Sequence, residues 1–267
     1  MSASFKEDLI YDVGLHKGED SEFFLKKGFR VVAVEALPSL AQIARERLRA
    51  YLDSGQLVIL NVAIAEKDGP LTFFENPYCS LWGTALPERA EGNKTTGQNL
   101  VQLTVQGKNF ASILREYGIP YYLKVDIEGA DRLCLEALKG FQSRPRYVSI
   151  EPAGASWKGL RGEFALLRAL GYSRFKVVRQ DTVPAQRCPF PAREGRYVDH
   201  HFEANASGLF GEEAPGEWVD ESEAIRIYRS IFFKFGLVKQ LSRAHIRRLL
   251  RHFVPDPGWY DTHAAVG

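Results

Sequence analysis

Short apolar runs alternate with stretches of helical periodicity through the first 180 residues of the chain. The runs at 9–13, 30–35, 57–63, 121–126, 146–151 and 175–179 are rich in Val, Ile, Leu, Tyr and Phe and are too short for helices, which marks them as strands. Between them, 20–27, 38–52, 109–117, 130–138 and 162–170 carry apolar residues at helical spacing. Pro38 suits a first helical turn, and Gly28, Gly118, Gly140 and Gly171 stand where these helices should stop. Strands alternating with helices predict βαβ units, and hence an α/β domain with a doubly wound, mainly parallel sheet.

Two segments interrupt this rhythm. The stretch 71–105 follows the third strand, is rich in Gly, Asn and Thr, and holds Trp82. It reads as extra hairpins and loops near a pocket. From 181 to 220 the chain is rich in Pro, Gly and aromatic residues, the composition of a covering insertion. Helical periodicity returns over 221–253, with basic residues from Arg226 through Arg251 on what reads as a solvated face. The pattern therefore divides into a core at 1–180, and a covering insertion with a helical C-terminal extension at 181–267.

Bulk properties narrow the class. A chain of 267 residues can bury roughly 70–75% of its unfolded surface, so it needs neither disulfides nor a structural metal. The net charge of +2 is too small to point to nucleic acid. Cys79, Cys134 and Cys188 are far apart and lack metal-ligand spacing, as expected of free thiols in a reducing compartment. No apolar run approaches the ~20 residues of a membrane span, and acidic residues stand where a signal peptide needs an apolar stretch. The expectation is a cytoplasmic globular protein with no nucleic-acid or membrane partner; homo-oligomerisation stays open.

Candidate chemistry begins at LIYDVGLHKGED, which places Asp12, Gly14 and Gly18 between the first strand and the first helix. Glycines there permit positive φ and close approach of a ligand to the backbone. His16 stands where a dinucleotide fingerprint needs its second glycine. Asp12 would repel a pyrophosphate; it suits a ligand bearing an ammonium and a sulfonium, as S-adenosylmethionine does. The second strand ends in Glu35, 21 residues after Gly14, where a carboxylate can accept both ribose hydroxyls of an adenosine. In the third strand, Asn61 to Ala63 would approach the adenine edge. The alternative is a tight turn followed by a surface glutamate.

The stretch IPYYLKVDIEGADRLCLEAL resembles the signature of the FkbM family of methyltransferases, whose fourth strand typically reads L-K-[IV]-D-[IV]-E-G. Here it is Leu123, Lys124, Val125, Asp126, Ile127, Glu128 and Gly129. The turn DVGLHKG, the strand end VVAVEALP, NVAIAEKDG and RPRYVSIEP fit in order, so the resemblance covers about residues 8–180. His16 and Lys17 depart from the Asn and Val or Ile commoner in that turn. The resemblance implies a class I, Rossmann-like methyltransferase fold with a seven-stranded mixed sheet between helices. It also implies S-adenosylmethionine as cofactor, S-adenosylhomocysteine as product, and O-methylation of a hydroxyl on a small molecule, natural product, sugar or glycan. Asp12, Gly14, Gly18 and Glu35 are then cofactor residues by matching position. His16, Ala36, Asn61, Ala63 and Asp126 are further candidates beside them.

In a doubly wound sheet, ligands bind at the carboxyl ends of the strands. Asp126 and Glu128 follow the fourth strand and Glu151 ends the fifth, so three carboxylates converge. Such a cluster needs Lys124 as counter-charge, a divalent cation, or one carboxyl with a raised pKa. Asp126 is the first candidate for acceptor positioning or base work and Glu151 the second; Lys124 fits an ion-pair role better than a base. Asp126 and Glu128 would alternatively cap the helix that follows. Mg²⁺ on Asp126, Glu128 and Glu151 is chemically sensible but not favoured, and no metal ligand is assigned. His200, His201 and His263 read as surface or packing residues. In 181–220, Phe202, Phe210 and Trp218 could wall an acceptor pocket and Glu212 and Glu213 could bond acceptor hydroxyls, unless the segment is an oligomer interface. The competing functions are a nicotinamide-dependent oxidoreductase and a non-catalytic S-adenosylmethionine-binding scaffold.

Overall fold

Nine residues form the first strand, β1 (Phe5–Val13), and the last five are buried without interruption, as a strand covered on both faces requires. In the computed structural model, which describes residues 3–75, 100–127, 129–152, 156–243 and 258–267, β1 is an inner strand of a seven-stranded sheet. Its parallel neighbours are β2 (Arg30–Val34) and β7 (Ile119–Val125). Beyond β2 lies β3 (Leu57–Leu60); beyond β7 lie β8 (Tyr147–Ile150), β10 (Tyr260–Val266) and β9 (Tyr172–Arg179), giving the order β3-β2-β1-β7-β8-β10-β9. Strand order reverses at β1, the switch point where ligands enter such sheets. This is the class I methyltransferase arrangement, a mainly parallel seven-stranded sheet between helices.

Side chains alternate across the sheet and define two layers. Leu9, Tyr11, Val13, Leu123, Val125, Val148 and Ile150 share a core with α4 (Phe110–Tyr117), α5 (Asp131–Leu138), α6 (Trp157–Ala169) and α7 (Glu221–Arg243). Ile10, Val31, Ala33, Tyr122 and Tyr147 face the other way, onto α1 (Glu19–Lys26), α2 (Pro38–Arg47) and the chain between 183 and 210. The predicted helix at 38–52 is two, α2 and a short α3 (Arg49–Asp53). The one at 162–170 begins earlier, at Trp157, because the Ser156 hydroxyl accepts the Gly159 N–H.

The covering segment does more than overlay the core. The Phe210 ring is fully buried and stacks on Tyr122 at 4.7 Å, with Phe24 and Phe29 edge-on at 5.3 and 5.7 Å. Phe202 packs on Phe23, and Trp218 stacks on Tyr147. Glu213 accepts from Lys27 Nζ at 3.2 Å, and Glu212 from the Tyr147 and Trp218 side chains. These five residues were expected around an acceptor; they are instead core and anchor, covering with Phe24 the sheet face over β7 and β8.

Two strands differ from expectation. The run 57–63 splits into β3 and β4 (Ala63–Ala65), and β4 joins a second sheet with β5 (Gly69–Glu75) and β6 (Val101–Asn109) in the order β4-β6-β5. The predicted extra hairpin near the pocket is thus the antiparallel β5–β6 pair, while Trp82 lies outside the described residues. The C-terminal β10 was not foreseen. It inserts antiparallel between β8 and β9, with Thr262 opposite both Ile150 and Val177, so the C-terminal part of the chain closes the sheet. The predicted helix at 221–253 is described to Arg243, and no helix among the described residues is long and apolar enough to cross a membrane.

Candidate active site

A cavity of about 510 Å³ opens at the carboxyl ends of β1, β2, β7 and β8. Its floor is the turn after β1. Gly14 lines it with φ +97°, and a Cβ there would lie 2.0 Å from the Asp126 carbonyl oxygen. Glycine is required because the end of β7 closes onto the turn. His16 also lines the cavity and holds a left-handed φ of 53°, uncommon for a side-chain-bearing residue. Its backbone N–H donates to Glu35 Oε2 at 2.9 Å, and its Nδ1 meets Glu19 Oε1 at 3.0 Å. Gly18 does not line the cavity. It starts α1 with φ +91°, and a Cβ there would meet Leu48 at 2.8 Å, so its place is set by packing of α1 on the turn after α2.

Glu35 follows β2 and faces the same cavity. Each carboxylate oxygen accepts one backbone N–H, Oε1 from Leu37 at 2.8 Å and Oε2 from His16 at 2.9 Å. A carboxylate has about four acceptor sites, so each oxygen keeps one for a ligand. Burial pushes the Glu35 pKa up, against the two N–H donors that stabilise its charge. Asn61 stands behind this loop, where its amide donates to the Glu35 and Ala36 carbonyls at 2.8 and 3.2 Å. It therefore braces the loop from outside the cavity lining. Ala36, Leu37, Leu40, Ala63, Ile64 and Phe73 form an apolar wall beside Glu35.

Beneath the floor is a buried charge network. Asp12 and Lys124 are cross-strand neighbours in β1 and β7. Lys124 Nζ lies 2.9 Å from Asp12 Oδ1, 3.3 Å from Asp20 Oδ2 and 3.1 Å from the Gly14 carbonyl. The other Asp12 oxygen accepts from Ser21 Oγ at 2.7 Å, and Asp20 Oδ1 accepts the Ser207 N–H at 2.8 Å. Burial opposes the charge on Lys124, yet Asp12, Asp20 and Asp126 hold its pKa well above that of a free lysine. Lys124 is a fixed cation and not a base. Asp12 is fully buried and absent from the cavity lining, so its expected contact with a ligand ammonium is replaced by the contact with Lys124.

Carboxylates line the opposite end. Asp126 follows β7, Glu151 follows β8, and Asp261 is the second residue of β10. Asp126 does not cap the next helix, whose N-cap Ala130 has no side-chain cap; Asp131 in its first turn instead accepts the Ile127 and Gly129 N–H groups at 3.2 and 2.9 Å and ties down the preceding turn. Glu128 lies outside the described residues. Burial first, then the charges of Asp126 and Glu151, push the Asp261 pKa well above the carboxylate range. Among the described residues no group of three or more His, Cys, Asp or Glu is arranged to hold a metal ion.

The sequence matches the methyltransferase FkbM domain model over residues 12–173. The chain belongs to the FkbM methyltransferase family. No curated protein matches it significantly. Among solved structures, the methyltransferase FkbM from Methylobacillus flagellatus KT is 17% identical with a TM-score of 0.43, covering 66% of this chain and 41% of that one. This chain thus spans less than half of that protein. The O-methyltransferase from Bacillus cereus in complex with SAH is 14% identical, TM-score 0.36, covering 64% and 67%. A putative sarcosine dimethylglycine methyltransferase from Galdieria sulphuraria is 9% identical, TM-score 0.38, covering 97% and 77%.

Of the residues expected in this FkbM methyltransferase site, Gly14, His16, Glu35, Ala36, Ala63, Lys124, Asp126 and Glu151 line one cavity. Asp12, Gly18 and Asn61 support it from behind. Asp20 and Asp261 were missed. Asp20 had a signal, as an acidic residue facing the sheet from the first helix; Asp261 had none, because its strand has no apolar pattern. His200 packs between Phe23 and Phe202, and His201 is exposed. His263 is buried in β10, with Nε2 unbonded among the described residues.

Proposed function

We propose that this chain binds S-adenosylmethionine in the cavity and methylates a hydroxyl of a small molecule, natural product, sugar or glycan. The observation that carries the reading is the polarity of the cavity: Glu35 and an apolar wall at one end, Asp126, Glu151 and Asp261 at the other. The Glu35 oxygens retain acceptor sites for two ribose hydroxyls, and Leu37, Leu40, Ala63 and Phe73 offer an apolar slot for a purine. When bound, S-adenosylmethionine supplies an electrophilic methyl group on a cationic sulfur. The acidic end complements that cation, and Lys124, whose direct ion pairs are with Asp12 and Asp20, offsets only part of its charge. Asp126 and Glu151 are placed to bond an acceptor hydroxyl and hold it in line, positioning that with proton removal contributes about 10²–10⁴ in rate.

The oxidoreductase alternative loses support, because a carboxylate-rich strand end suits neither a pyrophosphate nor a nicotinamide ribose phosphate. The test is titration calorimetry with S-adenosylhomocysteine. Wild-type protein should bind it, and Glu35→Ala should lose ~1.5–3 kcal/mol, roughly 10–150-fold in affinity. Unchanged affinity in a folded Glu35→Ala variant would remove Glu35 from the site, and a folded wild type that binds nothing would end the reading.

A further inference from the structure

Asp261 comes from the last strand, far outside the matched domain, yet it stands beside the residues that end β7 and β8. Thr262 pairs with Ile150, so the antiparallel course of β10 sets Asp261 next to Glu151. Lys124, Asp126, Glu151 and Asp20 all act on its charge. Tyr122 of β7 and Tyr228 of α7 also face it, with hydroxyl pKa values that burial pushes up. From β9 its cross-strand neighbour is the apolar Val178. No described residue donates a hydrogen bond to its carboxylate. A half-buried carboxylate that faces a cavity and lacks a protein donor is an acceptor open to a ligand.

We propose that Asp261 takes the proton of the acceptor hydroxyl during methyl transfer, a role that rests on the methyl-transfer reading above. As the new O–C bond forms, the C–S bond breaks and sulfur keeps its electron pair. The O–H proton passes to the Asp261 carboxylate, leaving a methyl ether, a neutral thioether and a neutral carboxylic acid. One cation and one anion disappear together, so the net charge of the enclosed site does not change. Asp261 is suited to this coupling because its ionisation follows its surroundings. Burial and its acidic neighbours favour the protonated form, whereas an adjacent sulfonium favours the ionised form. Asp126, by contrast, is exposed to solvent.

The prediction needs no acceptor. S-adenosylmethionine and S-adenosylhomocysteine differ in the sulfonium, so binding the first should expel the Asp261 proton and binding the second should leave it in place. Calorimetry of the full chain in buffers of different ionisation enthalpy counts these protons. The sulfonium ligand should release up to about one proton more than the thioether. Asp261→Asn should abolish the difference and Asp261→Glu should retain it. Should Asp261→Asn fail to fold, wild type still decides: the affinity ratio of the two ligands should rise with pH, approaching tenfold per unit. Equal proton counts with a pH-independent ratio, or a difference that survives in Asp261→Asn, would overturn the assignment while leaving methyl transfer intact. Failure of both ligands to bind would overturn both.

Discussion

Lys124→Met removes the cation that Asp12 and Asp20 share. The three residues are 3%, 0% and 5% exposed, and the ammonium contacts both carboxylates within 3.3 Å. Methionine nearly conserves volume, so the lost interaction is electrostatic. Removing one partner of a buried pair costs ~3–5 kcal/mol, and two orphaned carboxylates place this variant toward the upper end. At ~2–4 °C per kcal/mol, the melting temperature should fall by roughly 6–20 °C. In wild type the lysine pKa is raised, so its contribution is complete below the ordinary lysine value and constant between pH 5 and 8. In the variant, burial raises both carboxyl pKa values with only the Ser21 and Ser207 hydrogen bonds opposing it. The native state then binds more protons than the unfolded one above pH ~4, and stability falls as pH rises. Urea unfolding at pH 5 and pH 8 should therefore show a deficit that widens with pH. A deficit below about 1 kcal/mol, or one that narrows as pH rises, would refute a charged network beneath the site.

Three further changes test other levels of the structure. The His263 pKa is pulled down to about 3 by burial and then by Lys176, so the unfolded state binds its proton first and stability should fall as pH drops below ~6.5, at up to ~1.4 kcal/mol per unit. His263→Leu should flatten that acid arm in urea titrations, and an unchanged slope would count against a neutral buried imidazole. Asn61→Ala should weaken S-adenosylhomocysteine binding several-fold in calorimetry, since two bonds of ~0.5–1.5 kcal/mol brace the Glu35 loop; equal affinity would show the loop holds itself. Phe210→Ala should cost ~3–5 kcal/mol in chemical denaturation, whereas a cost near zero would mean the covering segment only rests on the core.

How far the fold could be read ahead depended on whether local pattern or tertiary contact decides each element. The strands β1, β2, β7 and β8 are buried on both faces, so they are written as continuous apolar runs. β10 reads YDTHAAV, and only its position between β8 and β9 makes it a strand. The site divides in the same way. Gly14, Glu35 and Asp126 sit at strand ends, which a sequence locates well. Asp12 was assigned to a ligand because its partner depends on the β1–β7 register, which sets it beside Lys124. Composition likewise marked 181–220 as irregular, yet it could not say whether Phe210 points into a cavity or onto Tyr122.

The cavity has two sources with different freedom to change. Residues 12–173, the matched region, supply the turn at Gly14, Glu35, the apolar wall, Asp126 and Glu151, which are the parts suited to a methyl donor. Gln180, Ala204 to Ser207, Trp259 and Asp261 complete the lining from outside that region. This division supports giving acceptor choice to the second group, but it does not make 181–220 an exchangeable loop. Phe210 is part of the core, Glu213 holds Lys27, and the Ser207 N–H bonds Asp20, which in turn contacts Lys124. Replacing the segment with a short linker would uncover the sheet and remove a donor from the buried network, so cofactor binding and stability would fall together. Acceptor preference should instead move with single substitutions at Asn205, which lines the cavity from an exposed position.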